Sequence, residues 1–91
     1  MIPLHERVSL VGGAVTDCTT ATQIATGHSG PGWLTIKNLD ASATVYVGGS
    51  TVTGSTNGGP LAPGSEDTCL YEDVSKLYAI GSATVGWWLR R

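Results

Sequence analysis

An all-β fold, a single small antiparallel sandwich or barrel of about seven short strands, is expected of this chain on three grounds. Stretches rich in Val, Ile, Thr, Tyr and Trp recur at intervals of about ten residues. Gly, Pro, Asn and Asp punctuate them where turns are needed. Within several stretches the side chains alternate with a period of two, which suits a pleated strand with one buried face. With 91 residues, no composition shift and no internal repeat, residues 1–91 read as one domain.

The elements follow in order. "HERVSLVGG" sets Arg7, Ser9 and Val11 against Val8 and Leu10, and its two glycines are expected to turn the chain. "AVTDCTTATQIATG" is threonine-rich and β-branched, so its stiff χ1 angles favour strands over a helix, with a bend or bulge at residues 17–20. "HSGPG" at residues 28–32 is a turn, Pro31 setting φ and the flanking glycines admitting positive φ. In "GWLTIKNLD", Leu34 and Ile36 share a parity that faces the core. Trp33, Thr35, Lys37 and Leu39 share the other, with Lys37 wet and Trp33 half covered at an edge.

"NLDASA" is turn material, and "ATVYVGG" is a strand with Val45 and Val47 on one face. From "VYVGG" the glycines let the chain turn, "STVT" reads as a short extended return, and "GSTNGGPLAPG" as a surface connection. There Asn57 and Gly58 are expected to supply positive φ and the prolines to stiffen the re-entry. The last third offers strands near 67–72, 76–81 and 83–90. "EDVSKLYAI" also tolerates a helical turn or two, but "GSA" cuts it off, so a strand at 77–80 after a short turn is expected.

Composition narrows the function. A net charge of −2 and five basic residues, scattered apart from the final pair Arg90 and Arg91, give no basis for phosphate neutralisation, so nucleic acid is not an expected partner. No apolar run approaches bilayer-spanning length, and "MIPLHERV" has neither the basic start nor the apolar core of a signal peptide. A chain made in a cytoplasm, with no membrane partner, is expected. Cys18 and Cys69 lie too far apart in sequence for a zinc or redox motif. In a reducing compartment buried thiols are expected before a disulfide, although neighbouring strands would allow one.

Chemistry-bearing motifs are missing. The glycine-rich stretch 45–64 has Ser55 after Gly54 and no lysine, so it is not a P-loop, and Thr, Val and Pro follow its glycines where a dinucleotide fold needs a helix. His5 and His28 stand apart from any nucleophile elbow or ligand cluster. Glu66, Asp67, Glu72 and Asp73 flank an apolar strand without the spacing of a calcium loop, and read as a solvated end that discourages edge pairing. No catalytic residue, metal ligand or cofactor is assigned, and an enzyme is not expected.

The ends carry more. "MIPL" sets Met1, Ile2 and Leu4 beside a proline that keeps the segment extended, so residues 1–4 are an arm that tucks into the core or docks on a partner. "GWWLRR" holds adjacent tryptophans that must point to opposite faces of a strand. One of Trp87 and Trp88 fills the core. The other, beside Arg90 and Arg91, is either an interface anchor or covered by a loop of its own chain. Met1, Ile2, Leu4, Trp33, Trp87, Trp88, Arg90 and Arg91 are the contact candidates.

The order "IKNLDASATVYVGGSTVT", "GGPLAPGSEDTCLY", "SKLYAI" and a closing strand resembles small virion structural proteins of tailed bacteriophages, over residues 33–85. The resemblance implies a β-sandwich without catalytic activity that binds the capsid exterior as a decoration or cement protein, made in the host bacterial cytoplasm. It implies the major capsid protein as partner and a homo-oligomer, with a trimer at three-fold positions. "GWWLRR" and "MIPLHER" depart from the pattern. A second function class is a tail- or head-fibre module in which Trp33 or Trp88 stacks on a carbohydrate or receptor.

Overall fold

The computed structural model describes residues 10–16 and 18–91. Among the described residues eight strands form two antiparallel four-stranded sheets: β1 (Leu10–Val15), β8 (Val85–Arg90), β3 (Gly32–Asn38) and β6 (Glu66–Tyr71) in one, and β2 (Thr22–Gln23), β7 (Tyr78–Ile80), β4 (Val45–Gly48) and β5 (Gly59–Leu61) in the other, each in that order. The fold is the small all-β sandwich expected. The early strand residues 5–9, the arm at 1–4 and the bend residue Asp17 lie outside the described residues.

Alternation decides which face is buried. Along β3, Leu34, Ile36 and Asn38 are buried while Trp33 is exposed and Thr35 and Lys37 are half-buried. β8 lies antiparallel beside it, so its Val85, Trp87 and Leu89 meet the same inner layer. From the second sheet Val45, Leu61 and Ala79 close that layer, and Ile24, Ala25, Val74, Leu77 and Ala83 fill it from the loops. Burial of these apolar side chains is the main stabilising term.

Among the described residues one polar side chain lies in this layer. Asn38 is fully buried, and its amide donates to the carbonyls of Ala43 (2.7 Å) and Leu61 (3.0 Å) while its Oδ1 accepts from the Asp40 N–H (2.9 Å). Every arm of the amide is used, so the desolvation cost is offset, and the end of β3 is tied to β5 of the facing sheet and to the loop before β4. Asp40 then caps the 41–43 turn through the N–H groups of Ser42 (2.9 Å) and Ala43 (2.6 Å).

Four local expectations are corrected. Gly12 and Gly13 do not turn the chain; they lie inside β1, opposite Trp88 and Trp87. "STVT" is no extended return, for residues 50–51 turn and Val52 tucks under the backbone of Gly48 and Gly58. Positive φ falls at Gly54 (146°) and Gly64 (74°), not Gly58, where a Cβ would lie 2.8 Å from Val52 Cγ2; close approach explains the glycine there. Part of the expected surface connection is the strand β5, paired with β4.

The turn before β7 is a 3-10 turn, Val74–Lys76. Asp73 Oδ1 accepts from the Ser75 N–H (3.0 Å), the Ser75 hydroxyl (2.6 Å) and, across the fold, the Gly30 N–H (3.0 Å). That carboxylate joins two loops distant in sequence. Cys18 is buried and Cys69 only half-buried on β6; both are thiols, so the buried-thiol expectation holds for Cys18 and is corrected for Cys69.

Candidate functional site

The antiparallel register lays out the outer face of the first sheet in rows across β6, β3, β8 and β1. Leu70, Trp33 and Arg90 make one row, Thr68, Thr35, Trp88 and Gly12 the next, and Glu66, Lys37, Gly86 and Ala14 the third. Odd residues of β3 and even residues of β8 point this way because their neighbours are held in the core.

This face concentrates exposed apolar surface. Trp33 (44 % exposed), Leu39 (50 %), Leu70 (61 %) and Trp88 (43 %) are the large apolar side chains most open to solvent among the described residues. Three of them stand in the rows above, and Leu39 folds over the third row, its Cδ1 3.2 Å from where a Cβ on Gly86 would sit. Single exposed apolar residues are ordinary, whereas their clustering on one sheet face makes this face the candidate contact surface.

A shallow recess of about 260 Å³ lies at the centre of the face, lined by Trp33, Thr35, Thr68, Trp88 and Arg90. The Thr35 and Thr68 hydroxyls bond each other at 2.8 Å across the β3–β6 pair. Trp33 and Trp88 stand diagonally across the β3–β8 pair, with Arg90 opposite Trp33. Two flat rings, two hydroxyls and one guanidinium therefore converge, of which the Trp and Arg side chains are types enriched in protein interfaces.

The other candidates separate. Trp87 is corrected from contact candidate to core residue: it is 6 % exposed and meets the His28 ring edge-on at a centroid distance of 5.6 Å. Trp88 is not covered by a described loop. Arg90 belongs to the outer face, whereas Arg91 leaves it and lines a different recess with Val11, Gly27, His28, Ser29 and Leu89. Met1, Ile2 and Leu4 lie outside the described residues.

Leu39 and Leu70 were missing from the sequence candidates. Leu39 carries the same parity as Trp33, and that was its one signal; Leu70 needed the register with β3 to join the face. The inner edge of β6 gathers Asp67, Cys69 and Tyr71 at alternate positions, with the Cys69 thiol 3.8 Å from Asp67 Oδ2. Burial first, then Cys69 and Asp67, pushes the Tyr71 hydroxyl up to about 12. Among the described residues no group of three or more His, Cys, Asp or Glu side chains is placed to hold a metal ion.

Fold and face together define a small β-sandwich with one apolar sheet surface. No protein-family model matches the chain, and no curated protein matches it either.

Proposed function

We propose that the chain is a non-enzymatic virion structural protein that attaches to the outside of a capsid through the outer face of its first sheet. The observation that carries the reading is the gathering of Trp33, Leu39, Leu70 and Trp88 on that one face. An arrangement of indoles around a single guanidinium suits desolvation against a protein shell, with the aromatic rings as anchors. The capsid as partner comes from the resemblance of residues 33–85 to phage virion proteins. Identical sites repeated over a shell let modest contacts add up if the protein is itself oligomeric.

Purified particles stripped of the protein and re-incubated with variants test the reading. Trp33→Ala and Leu70→Lys reduce occupancy while the domain stays folded. Full occupancy by both folded variants removes the face as the attachment surface.

The recess favours a second reading, a carbohydrate-binding module of a tail or head fibre, because indoles beside hydroxyls can stack on and hydrogen-bond a sugar ring. Glycan-array binding lost on Trp33→Ala supports this reading. Hundreds of copies on the head of a purified particle support the capsid.

A further inference from the structure

We infer that two copies of this chain pair edge to edge along β1 about a two-fold axis, so that their first sheets run on as one. The inference goes beyond the attachment reading and does not rest on it. It starts from the four sheet edges, because an unpaired edge is a template for another strand unless something blunts it.

Three edges are blunted. β2 is two residues long, and β5 is three residues long with Pro60 in its centre, which has no N–H to give. β6 opens with Glu66 on the outer face and Asp67, opposite Ile36, on the inner one. A strand laid there meets a carboxylate on either side.

β1 has none of these devices. It runs for six residues as "LVGGAV", without charge or proline, and among the described residues it pairs with β8 alone. Its central glycines would weaken a lone strand, but Trp88 and Trp87 lie against them and supply the missing side-chain cover.

The occupant that fits is a second β1. A strand paired antiparallel with its own copy meets only its own side chains, and here none repels another. A two-fold axis normal to the sheet keeps both outer faces on the same side. Trp88, still 43 % exposed where it crosses Gly12, would then stand beside the seam, near its counterpart. The pairing is two-fold, in contrast to the trimer that the resemblance implies.

Light scattering on the purified full chain tests this, with twice the protomer mass expected. Ala14→Lys puts a charge on the exposed outer side of β1 and yields the monomer, whereas Leu70→Lys on β6 and Trp33→Ala on the docking face leave the mass unchanged. In native-state hydrogen exchange, consecutive amides from Val11 to Val15 are all protected in the dimer, against every second amide for a strand paired on one side only. This second readout serves even if Ala14→Lys fails to fold. A monomeric or trimeric mass, alternate-residue protection in β1, or a dimer lost with Leu70→Lys and kept with Ala14→Lys overturns the inference. Loss of particle attachment by Trp33→Ala with the dimer intact bears on the attachment reading alone.

Discussion

Trp88 lies across Gly12, its register partner in β1, with Cδ1 3.3 Å from where a glycine Cβ would be. On the opposite face Trp87 does the same to Gly13, with Cζ2 at 3.2 Å. Two adjacent tryptophans of one strand thus cover two adjacent glycines of its neighbour, one pair from inside the sandwich and one from outside.

The two rings should differ sharply in their effect on stability. Trp87→Ala opens a core cavity and costs about 3–5 kcal/mol. Trp88→Ala removes a half-exposed cross-strand contact and costs roughly 1 kcal/mol. Urea midpoints measure both; equal losses would contradict the inward and outward assignment.

Asn38→Leu leaves the Ala43 and Leu61 carbonyls without their donor, at about 1–3 kcal/mol for each. Asn38→Asp is worse at neutral pH, because a carboxylate then faces those carbonyls. Burial raises the pKa of the introduced acid, so this variant regains stability relative to wild type as pH falls. Denaturation of the three proteins at neutral and mildly acidic pH checks the order.

Backbone strain distinguishes two glycines. Gly81 has φ of 152°, and a Cβ there would lie 2.9 Å from the Thr44 carbonyl oxygen. Gly81→Ala costs about 1–3 kcal/mol. At Gly49 a Cβ meets nothing within 4 Å and φ is not in the positive region, so Gly49→Ala is neutral or stabilising by up to about 1 kcal/mol. Thermal melts that rank the two variants the other way would show the Gly81 backbone to be unstrained.

The acid limb of stability follows Asp40 and Asp73. The Ala43 and Ser42 N–H groups lower the Asp40 pKa; the Ser75 hydroxyl and the Gly30 and Ser75 N–H groups lower that of Asp73. Each folded value lies below the ordinary 3.8, so the contribution is fully present above that pH and is lost as pH falls through the lowered values. Replacing both residues by Asn should flatten the acid dependence of the urea midpoint. An unchanged slope would mean that other carboxylates govern it.

Tyr71 sets an alkaline limb of opposite sign. Its folded pKa of about 12 exceeds the ordinary 10.0, so its contribution is complete below pH 10.0 and is lost as pH rises through about 12. Cys69→Ser brings the value only partway down, since burial is the larger cause. Tyrosinate absorbance in the folded protein measures it; full return to the ordinary value would make the thiol the main cause.

Much of the fold was legible because strand alternation is local. Leu34 and Ile36 faced inward as their parity required, Val45 and Val47 shared a face, and the turn before β7 appeared where the apolar pattern broke. Gly12 and Gly13 were misread as a turn because glycine signals one by default. Their actual role depends on two tryptophans more than seventy residues away in sequence. Val52 and Gly58 show the same limit, since the glycine serves a close approach that local pattern does not record.

By itself the sequence determined the β class and the opposite directions of Trp87 and Trp88, both consequences of backbone geometry within a strand. Which tryptophan is buried, which glycines take positive φ, and how Leu39 and Leu70 join Trp33 and Trp88 on one face were decided by the tertiary structure. Those outcomes depend on strand register, and register is chosen by the packing of the whole inner layer, in which every side chain must find its place at once.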